Sequence, residues 1–361
     1  MRVPSYDGRG LVNLVAELER RLVGDAPTPG LTVDVAAAVP ESDRYVLVLF
    51  DGLGDHQLTH PAAGPLTSAR VATLDAPFSS QTTVATATLA SGLAPSRHGL
   101  IAYLLHDPDF GGVVNTVWWL RIDGEAVPAE PDGFLPSPNL TERLLSGGCE
   151  VSVVLPAGFI GSPLERLLFR GATPFGWDHV GEIVPLTVDA VERGRGVTVV
   201  YLPDVDAAAH YHGQSSVEYA AAMGRASAVW QELAERLPAA VSLVGTADHG
   251  HVDIPEERRL DLRPPDGLTL YGDSRAVYVH GDPELGEEMA ENIPAVWYPA
   301  AATDGWWGPG PLHPRFEARR PDGILLADPG YAFSFPGNDA WTIGQHGGLT
   351  DEEIAIPLLV R

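Results

Sequence analysis

The chain has 361 residues, 45% hydrophobic and 20% charged, enough to bury a sizeable core as one large or two modest domains. With 48 acidic residues against 23 basic ones its formal net charge is −25, which repels nucleic-acid phosphate and anionic membrane surfaces and disfavours nucleic-acid scaffolding. It contains no lysine, which excludes Schiff-base chemistry and a lysine-bearing phosphate loop, and its single cysteine, Cys149, excludes an intramolecular disulfide and a cysteine-rich zinc site.

The segment Met1 to Gly10 holds Pro4, Asp7, Gly8 and Gly10 where a secretory leader needs an unbroken apolar stretch. No run of about 18 apolar residues occurs after it, so a cytoplasmic protein outside the membrane is expected. The first apolar run, Tyr45 to Phe50, is continuous rather than alternating, which predicts a strand covered on both faces. Asp51-Gly52 comes directly after it; by itself such an Asp is more often a turn or helix cap.

Next comes a stretch of small hydroxylated residues, Ser79 to Ser91, closing in Gly92-Leu93-Ala94-Pro95 and His98-Gly99. A hydroxyl at Thr82 or Thr83 would begin its helix, where the N-terminus favours an alkoxide and a bound phosphate. From about 104 to 138 the pattern breaks into Gly, Pro and the pair Trp118-Trp119, and a second irregular stretch, about 255 to 336, carries Trp306-Trp307. Both are expected as insertions over the carboxyl edge of the sheet, where α/β proteins bind ligands. If the tryptophan pairs cover the site, they would form an aromatic wall for a nucleobase or aryl group.

Further strands are predicted at Val151 to Leu155, Val197 to Leu202 and Val241 to Val244, and a helix at Val217 to Leu237, capped by Ser215 with Glu218. Strands alternating with helices imply an α/β fold with a mostly parallel central sheet and helices on both faces. Without repeats or flexible linkers, residues 1–361 form one domain with insertions.

The third of these strands leads into Asp206 and His210, spaced to share one side of a helical turn, and the fourth into Asp248, His249, Gly250 and His251. Gly344, Gln345, His346, Gly347 and Gly348 come near the end. Three strands thus deliver Asp51, Asp206 and Asp248 to one edge, with His210, His249 and His346 beside them. Clustered carboxylates repel unless cations neutralise them, and six such ligands suit two divalent ions. Zn²⁺ is the expected metal, with Mn²⁺ or Mg²⁺ as alternatives set by availability.

These motifs, in this order from about Tyr45 to Leu359, resemble the alkaline phosphatase superfamily, and within it the nucleotide pyrophosphatase and type I phosphodiesterase branch. The resemblance implies an alkaline-phosphatase-like fold, one metal on Asp206, His210 and His346, a second on Asp51, Asp248 and His249, and a nucleophile at Thr82 that also ligates metal, with Thr83 adjacent to it. Asp204 and His212 would be bystanders or orient the ligands.

The implied activity is hydrolysis of a phosphodiester or pyrophosphate bond through a covalent phosphothreonine. Its substrate would be a small phosphate ester or nucleotide, and the oligomeric state is open. Phosphomonoester or phosphonate hydrolysis is the nearest rival, and a non-catalytic metal- or nucleotide-binding protein the rival of another class. One departure from the family lies after His98-Gly99. Where eukaryotic members carry an Asn that holds a phosphate oxygen, this chain has Leu100, Ile101, Ala102 and Tyr103, leaving Asn115 or the Thr82 amide as candidates. Cys149 lacks the sulfatase setting, and the catalytic lysine of the phosphoglycerate mutases has no counterpart.

Overall fold

In the computed structural model, which describes residues 1–338 and 341–361, seven strands form the central sheet. In chain order they are β1 (Arg44–Phe50), β2 (Arg70–Asp75), β3 (Glu150–Pro156), β4 (Thr173–Trp177), β5 (Gly196–Leu202), β6 (Val241–Ala247) and β7 (Ala355–Val360). Their spatial order is β2-β7-β6-β1-β5-β3-β4. The five strands from β6 to β4 run parallel, and only β7 is antiparallel to its neighbours β6 and β2. Six of the seven residues of β1 are fully buried, which explains its continuous apolar run: such a strand is covered on both faces.

Register decides where the polar residues go. Phe50 pairs with Leu202 on one side and Ala247 on the other, so the chains leaving all three strands emerge level at one carboxyl edge. Asp51 and Asp248 are the first residues past their strands. Beyond β5, Pro203 leads into helix α2 (Asp204–His212), which carries Asp206 and His210.

Two other helices matter for the site. Helix α1 (Thr82–Ser91) is built from small residues and stops where Gly92 takes φ +66°, a left-handed conformation suited to glycine. Its buried hydroxyls are satisfied locally, with Thr86 and Thr88 donating back to the carbonyls of Thr82 and Val84. Helix α3 (Val217–Arg236) matches the expected span, but its cap is Ser216, whose hydroxyl accepts from the Tyr219 N–H at 3.0 Å, rather than Ser215. The hydroxyl one residue nearer the helix has the extended backbone that a cap requires.

The two irregular stretches meet each other. Leu104–Asp107, Gly112–Asn115 and Leu120–Arg121 from the first join Thr269–Gly272, Ala276–His280, Ala295–Pro299 and Gly323–Ala327 from the second in one seven-stranded antiparallel sheet. This sheet has its own apolar core, in which Trp306 and Trp307 pack against Phe78. At 4% and 2% exposure the two tryptophans are structural, so the aromatic wall expected from them is absent. Trp119 is likewise buried, its indole N–H donating to the Ala129 carbonyl, and only Trp118, 65% exposed, reaches the carboxyl edge. Among the described residues no helix is long and apolar enough to cross a membrane.

Candidate metal and nucleophile site

At the carboxyl edge the side chains gather into two groups. Asp51, Asp248 and His249 form one, and Asp206, His210, His251 and His346 the other; within each group, one potential ligand atom per residue lies within 4.8 Å of the rest. The stacked rings of His249 and His346, 3.7 Å between centroids, join the groups. All six residues singled out from the sequence as carboxylate and imidazole ligands come together here.

Each imidazole is oriented by the backbone. Nδ1 of His210 donates to the Gly344 carbonyl at 2.7 Å, that of His346 to Ser80 at 2.9 Å, that of His249 to Gly250 at 3.2 Å and that of His251 to Gly52 at 3.1 Å. A carbonyl only accepts, so each Nδ1 carries a proton, and each imidazole, when neutral, turns an Nε2 lone pair toward the site. The carboxylates are oriented too. Asp248 accepts from the Gly52 and His249 N–H groups through Oδ1, and Tyr201 donates its hydroxyl to Oδ2 of Asp51.

The atoms left over point to cations. Oδ1 of Asp206, Oδ2 of Asp248 and Nε2 of His251 are buried without a hydrogen-bond partner among the described residues. His251 Nε2 and Asp206 Oδ1 are only 3.0 Å apart, close but not aligned as a hydrogen bond. Buried polar atoms without partners are costly, and a divalent ion held by such oxygen and nitrogen donors would satisfy them. The donor set therefore fits two divalent metals.

Electrostatics agree. Burial, reinforced by the neighbouring charges of Asp206 and Asp248, holds the Asp51 carboxyl well above the usual range. Burial likewise pushes Asp248 up to about 6 and His249 down to about 3, and lowers His346. Asp206 goes the other way: burial opposes ionisation, but in the metal-free site positive charge on the adjoining His210, whose pKa Asp206 raises against burial, and the nearby His251 imidazole hold it well below the usual carboxylate range. A site that resists gathering its own charges in this way is relieved by added cations.

Thr82 belongs to this group and Thr83 does not. Thr82 Oγ1 lies 3.1 Å from His249 Nε2 and 3.4 Å from Asp51 Oδ1. Thr83 is fully buried, its hydroxyl 3.1 Å from that of Thr116, whose own proton goes to the Tyr103 carbonyl. Thr82 opens helix α1, whose first N–H groups have no helical acceptor.

Other candidates fall outside. Asp204 pairs with Arg225, and His212 is exposed. Asn115 does not reach the site as an oxyanion donor. Its Oδ1 accepts from the Val117 and Trp118 N–H groups and its amide donates to the Tyr103 hydroxyl at 2.6 Å, because it closes the turn after its strand. Tyr103 lines a cavity at the site instead, and receiving that amide hydrogen leaves its own O–H free to donate.

Two further residues were not identified from sequence. His251 carried a signal, two positions after His249 on the same strand exit. Tyr201 carried none, being an ordinary aromatic in β5. Gly52 explains why the crowding is possible: at φ +69° a Cβ there would lie 2.3 Å from the His251 ring.

Two cavities meet at Thr82 and His210. One, about 560 Å³, runs among apolar side chains of β1, β3, β5 and α1; the other, about 260 Å³, is lined by polar groups including Gln81, Tyr103 and Asp273. Among the described residues no arginine lines either.

The profile of the family described as type I phosphodiesterase / nucleotide pyrophosphatase matches residues 45–349. The chain belongs to this family. Among solved structures, it resembles murine ectonucleotide pyrophosphatase / phosphodiesterase 5 at 17% identity and TM-score 0.67, with 87% of each chain covered. The human counterpart matches at 18% identity and TM-score 0.64, covering 88% of this chain and 87% of that one. Phosphonoacetate hydrolase from Sinorhizobium meliloti 1021 matches at 16% identity and TM-score 0.66, covering 89% and 91%. At these identities the likeness is one of fold, that of the alkaline phosphatase superfamily. No curated protein matches the chain. Membership of the family supports hydrolysis of phosphate esters.

Proposed function

We propose that the chain hydrolyses phosphodiester or pyrophosphate bonds through a covalent phosphothreonine on Thr82, assisted by two divalent ions, with Zn²⁺ the expected metal. The observation that carries this reading is the position of Thr82 Oγ1, at a helix N-terminus and within 3.4 Å of Asp51 and 3.1 Å of His249. One ion would be held by Asp206, His210 and His346 with His251, the other by Asp51, Asp248 and His249. Bound there, they supply Lewis acidity that lowers the Thr82 hydroxyl pKa and offsets charge on the phosphate.

Thr82 Oγ1 attacks phosphorus. Its bond to phosphorus forms as the bond to the departing alcohol breaks, and the hydroxyl proton leaves with that alcohol. Water then attacks the threonyl phosphate from the side the alcohol vacated, restoring the Thr82 hydroxyl and releasing the phosphomonoester. Tyr201 keeps Asp51 turned so that Oδ1 faces the nucleophile. The free N–H groups at the start of α1 and the Tyr103 hydroxyl are the donors available to a non-bridging oxygen.

The diester preference rests on missing positive charge. A monoester carries two negative charges on three oxygens and commonly needs a cation beyond the metal pair, yet among the described residues no arginine lines either cavity. Arg97, the cation that follows the nucleophile helix, donates instead to the Pro27 carbonyl. A single cysteine, Cys149, fits a reducing, cytoplasmic setting.

The test compares kcat/KM of metal-loaded protein on a chromogenic aryl phosphodiester and its matching monoester. A higher value for the diester is expected. A monoester or phosphonate preference of about tenfold or more, roughly 1.4 kcal/mol, overturns the diesterase reading. Metal binding with no turnover of any ester would make the chain a binding protein.

A further inference from the structure

Asp273 is a buried carboxyl outside both ligand groups. It follows the strand Thr269–Gly272 in the turn to Ala276–His280, where its N–H donates to the Ala276 carbonyl at 3.0 Å. The next two residues anchor that turn. Ser274 donates to the side-chain oxygen of Gln345, beside His346, and Arg275 pairs with the buried Glu353 carboxylate. The second sheet thus brings a fixed carboxyl up to the segment just before the nucleophile.

That segment is Ser79, Ser80 and Gln81. Gln81 donates its amide to Oδ1 of Asp273, and the Ser79 hydroxyl is bonded to Oδ2 at 3.2 Å. Ser80, between them, turns to the His346 loop, its hydroxyl accepting from the Gly347 N–H at 3.0 Å and donating to the Gly348 carbonyl at 2.9 Å. The same loop leans on Asp273, since a Cβ at Gly347 would lie 2.7 Å from the Asp273 Cβ. Burial pushes the Asp273 carboxyl up to about 8, so near neutral pH it adds no full negative charge beside a phosphate. An uncharged acid still accepts from Gln81 through Oδ1.

The consequence falls on α1. Gln81 stands just before the helix with extended backbone, φ −134° and ψ 141°, where a Ser, Asp or Asn side chain ordinarily accepts from the second or third helical N–H. No side chain caps α1 in this way among the described residues, and the Gln81 amide goes to Asp273 instead. The first N–H groups of the nucleophile helix stay open to an anion.

We propose that Asp273 is a positioning residue for the nucleophile. By holding Gln81 and Ser79 it keeps the start of α1 uncapped, so that its N–H groups meet a non-bridging phosphate oxygen, and it fixes the backbone on which Thr82 stands. This deepens the phosphothreonine reading and rests on it.

The experiment has a turnover readout, kcat/KM of metal-loaded protein on an aryl phosphodiester, and a binding readout, the affinity for inorganic phosphate by calorimetry. Gln81→Ser and Gln81→Ala both lose the bond to Asp273, but only serine caps the helix. Gln81→Ser should therefore melt at the higher temperature of the two and yet show at least about fivefold lower kcat/KM and phosphate affinity, with two ions bound in each. A purely structural role orders activity with stability and gives the reverse. Asp273→Leu should lower kcat/KM at least about 30-fold, and Asp273→Asn, which keeps an acceptor for Gln81, should recover at least about tenfold of that loss.

Equal phosphate affinity in the two Gln81 variants, or a folded Asp273→Leu protein with two ions and unchanged kcat/KM, overturns the positioning role and leaves the phosphothreonine reading standing. Where Asp273→Leu does not fold, the Gln81 pair decides. If the unaltered protein turns over no ester, the phosphothreonine reading fails on its own, and the order of phosphate affinities in the Gln81 pair still supports or overturns the role of Asp273.

Discussion

His210 and His346 face each other with their Nε2 atoms 3.2 Å apart, while the Nδ1 of each is committed to a backbone carbonyl. When both imidazoles are neutral they present lone pair to lone pair, an arrangement that repels unless a cation, either a proton or a metal ion, lies between them. Asp206 Oδ1, 3.8 Å from His346 Nε2 and 3.3 Å from His210 Nε2, completes the group. Removing either end of this set should therefore be felt in metal content first. His346→Ala and Asp206→Ala are each expected to lower stoichiometry from two ions toward one, and to reduce the melting temperature, because bound metal stabilises the state that presents its ligands. Elemental analysis and thermal unfolding read both effects, with the exposed His212→Ala as the control that should change neither. Two ions retained in His346→Ala would remove that residue from the site.

Thr82 and Thr83 separate activity from stability. Thr82→Ala should lower kcat by at least about 10³-fold while metal content stays near two ions, because the nucleophile is lost and the ligand sets remain. Thr83→Ala should keep turnover but cost about 0.5–1.5 kcal/mol, since it removes a buried hydrogen bond with Thr116, which keeps its bond to the Tyr103 carbonyl. Steady-state rates and denaturant unfolding distinguish the two. A dead Thr83→Ala enzyme with an active Thr82→Ala would reverse the assignment.

His251 is placed to act on the same ion as Asp206. With Nδ1 tied to Gly52 and Nε2 buried without a hydrogen-bond partner among the described residues, it either ligates metal or holds Asp206 in place. His251→Ala is expected to weaken binding at one of the two sites by about 10–100-fold, measured by metal titration, with the other site unaffected. Unchanged affinities at both sites would make the residue a packing element.

Metal removal should expose the strain among the carboxylates as a pH dependence. In the metal-free protein burial pushes Asp248 up to about 6 from an ordinary 3.8, against the N–H groups it accepts from. The folded state then binds its proton more tightly than the unfolded chain between those values, so this group's contribution favours folding at low pH and is lost as pH rises through about 6. Metal binding competes with the same proton. The gap in melting temperature between metal-loaded and chelator-treated protein should accordingly widen between about pH 5 and pH 7. A gap that stays constant across that range would show that the carboxylates do not govern metal-linked stability.

Sequence alone determined those features of this protein that depend on position along a strand or a helical turn. A buried parallel strand must be apolar throughout, so its end is marked by the first charged residue, and Asp51 and Asp248 were legible as strand exits. The helical spacing of Asp206 and His210 was equally legible, as was the ordered set of motifs that places the chain in its family. Tertiary structure decided everything that depends on where a side chain points or what an insertion packs against. Thr82 and Thr83 are adjacent in sequence, but the start of α1 turns one toward Asp51 and the other toward Thr116. Trp306 and Trp307 looked like a ligand wall and became the core of a second sheet, because two remote segments pair there and must bury a face. The apolar cavity had no sequence signature for the same reason: its residues come from β1, β3, β5 and α1, each an ordinary core position until the strands are laid side by side.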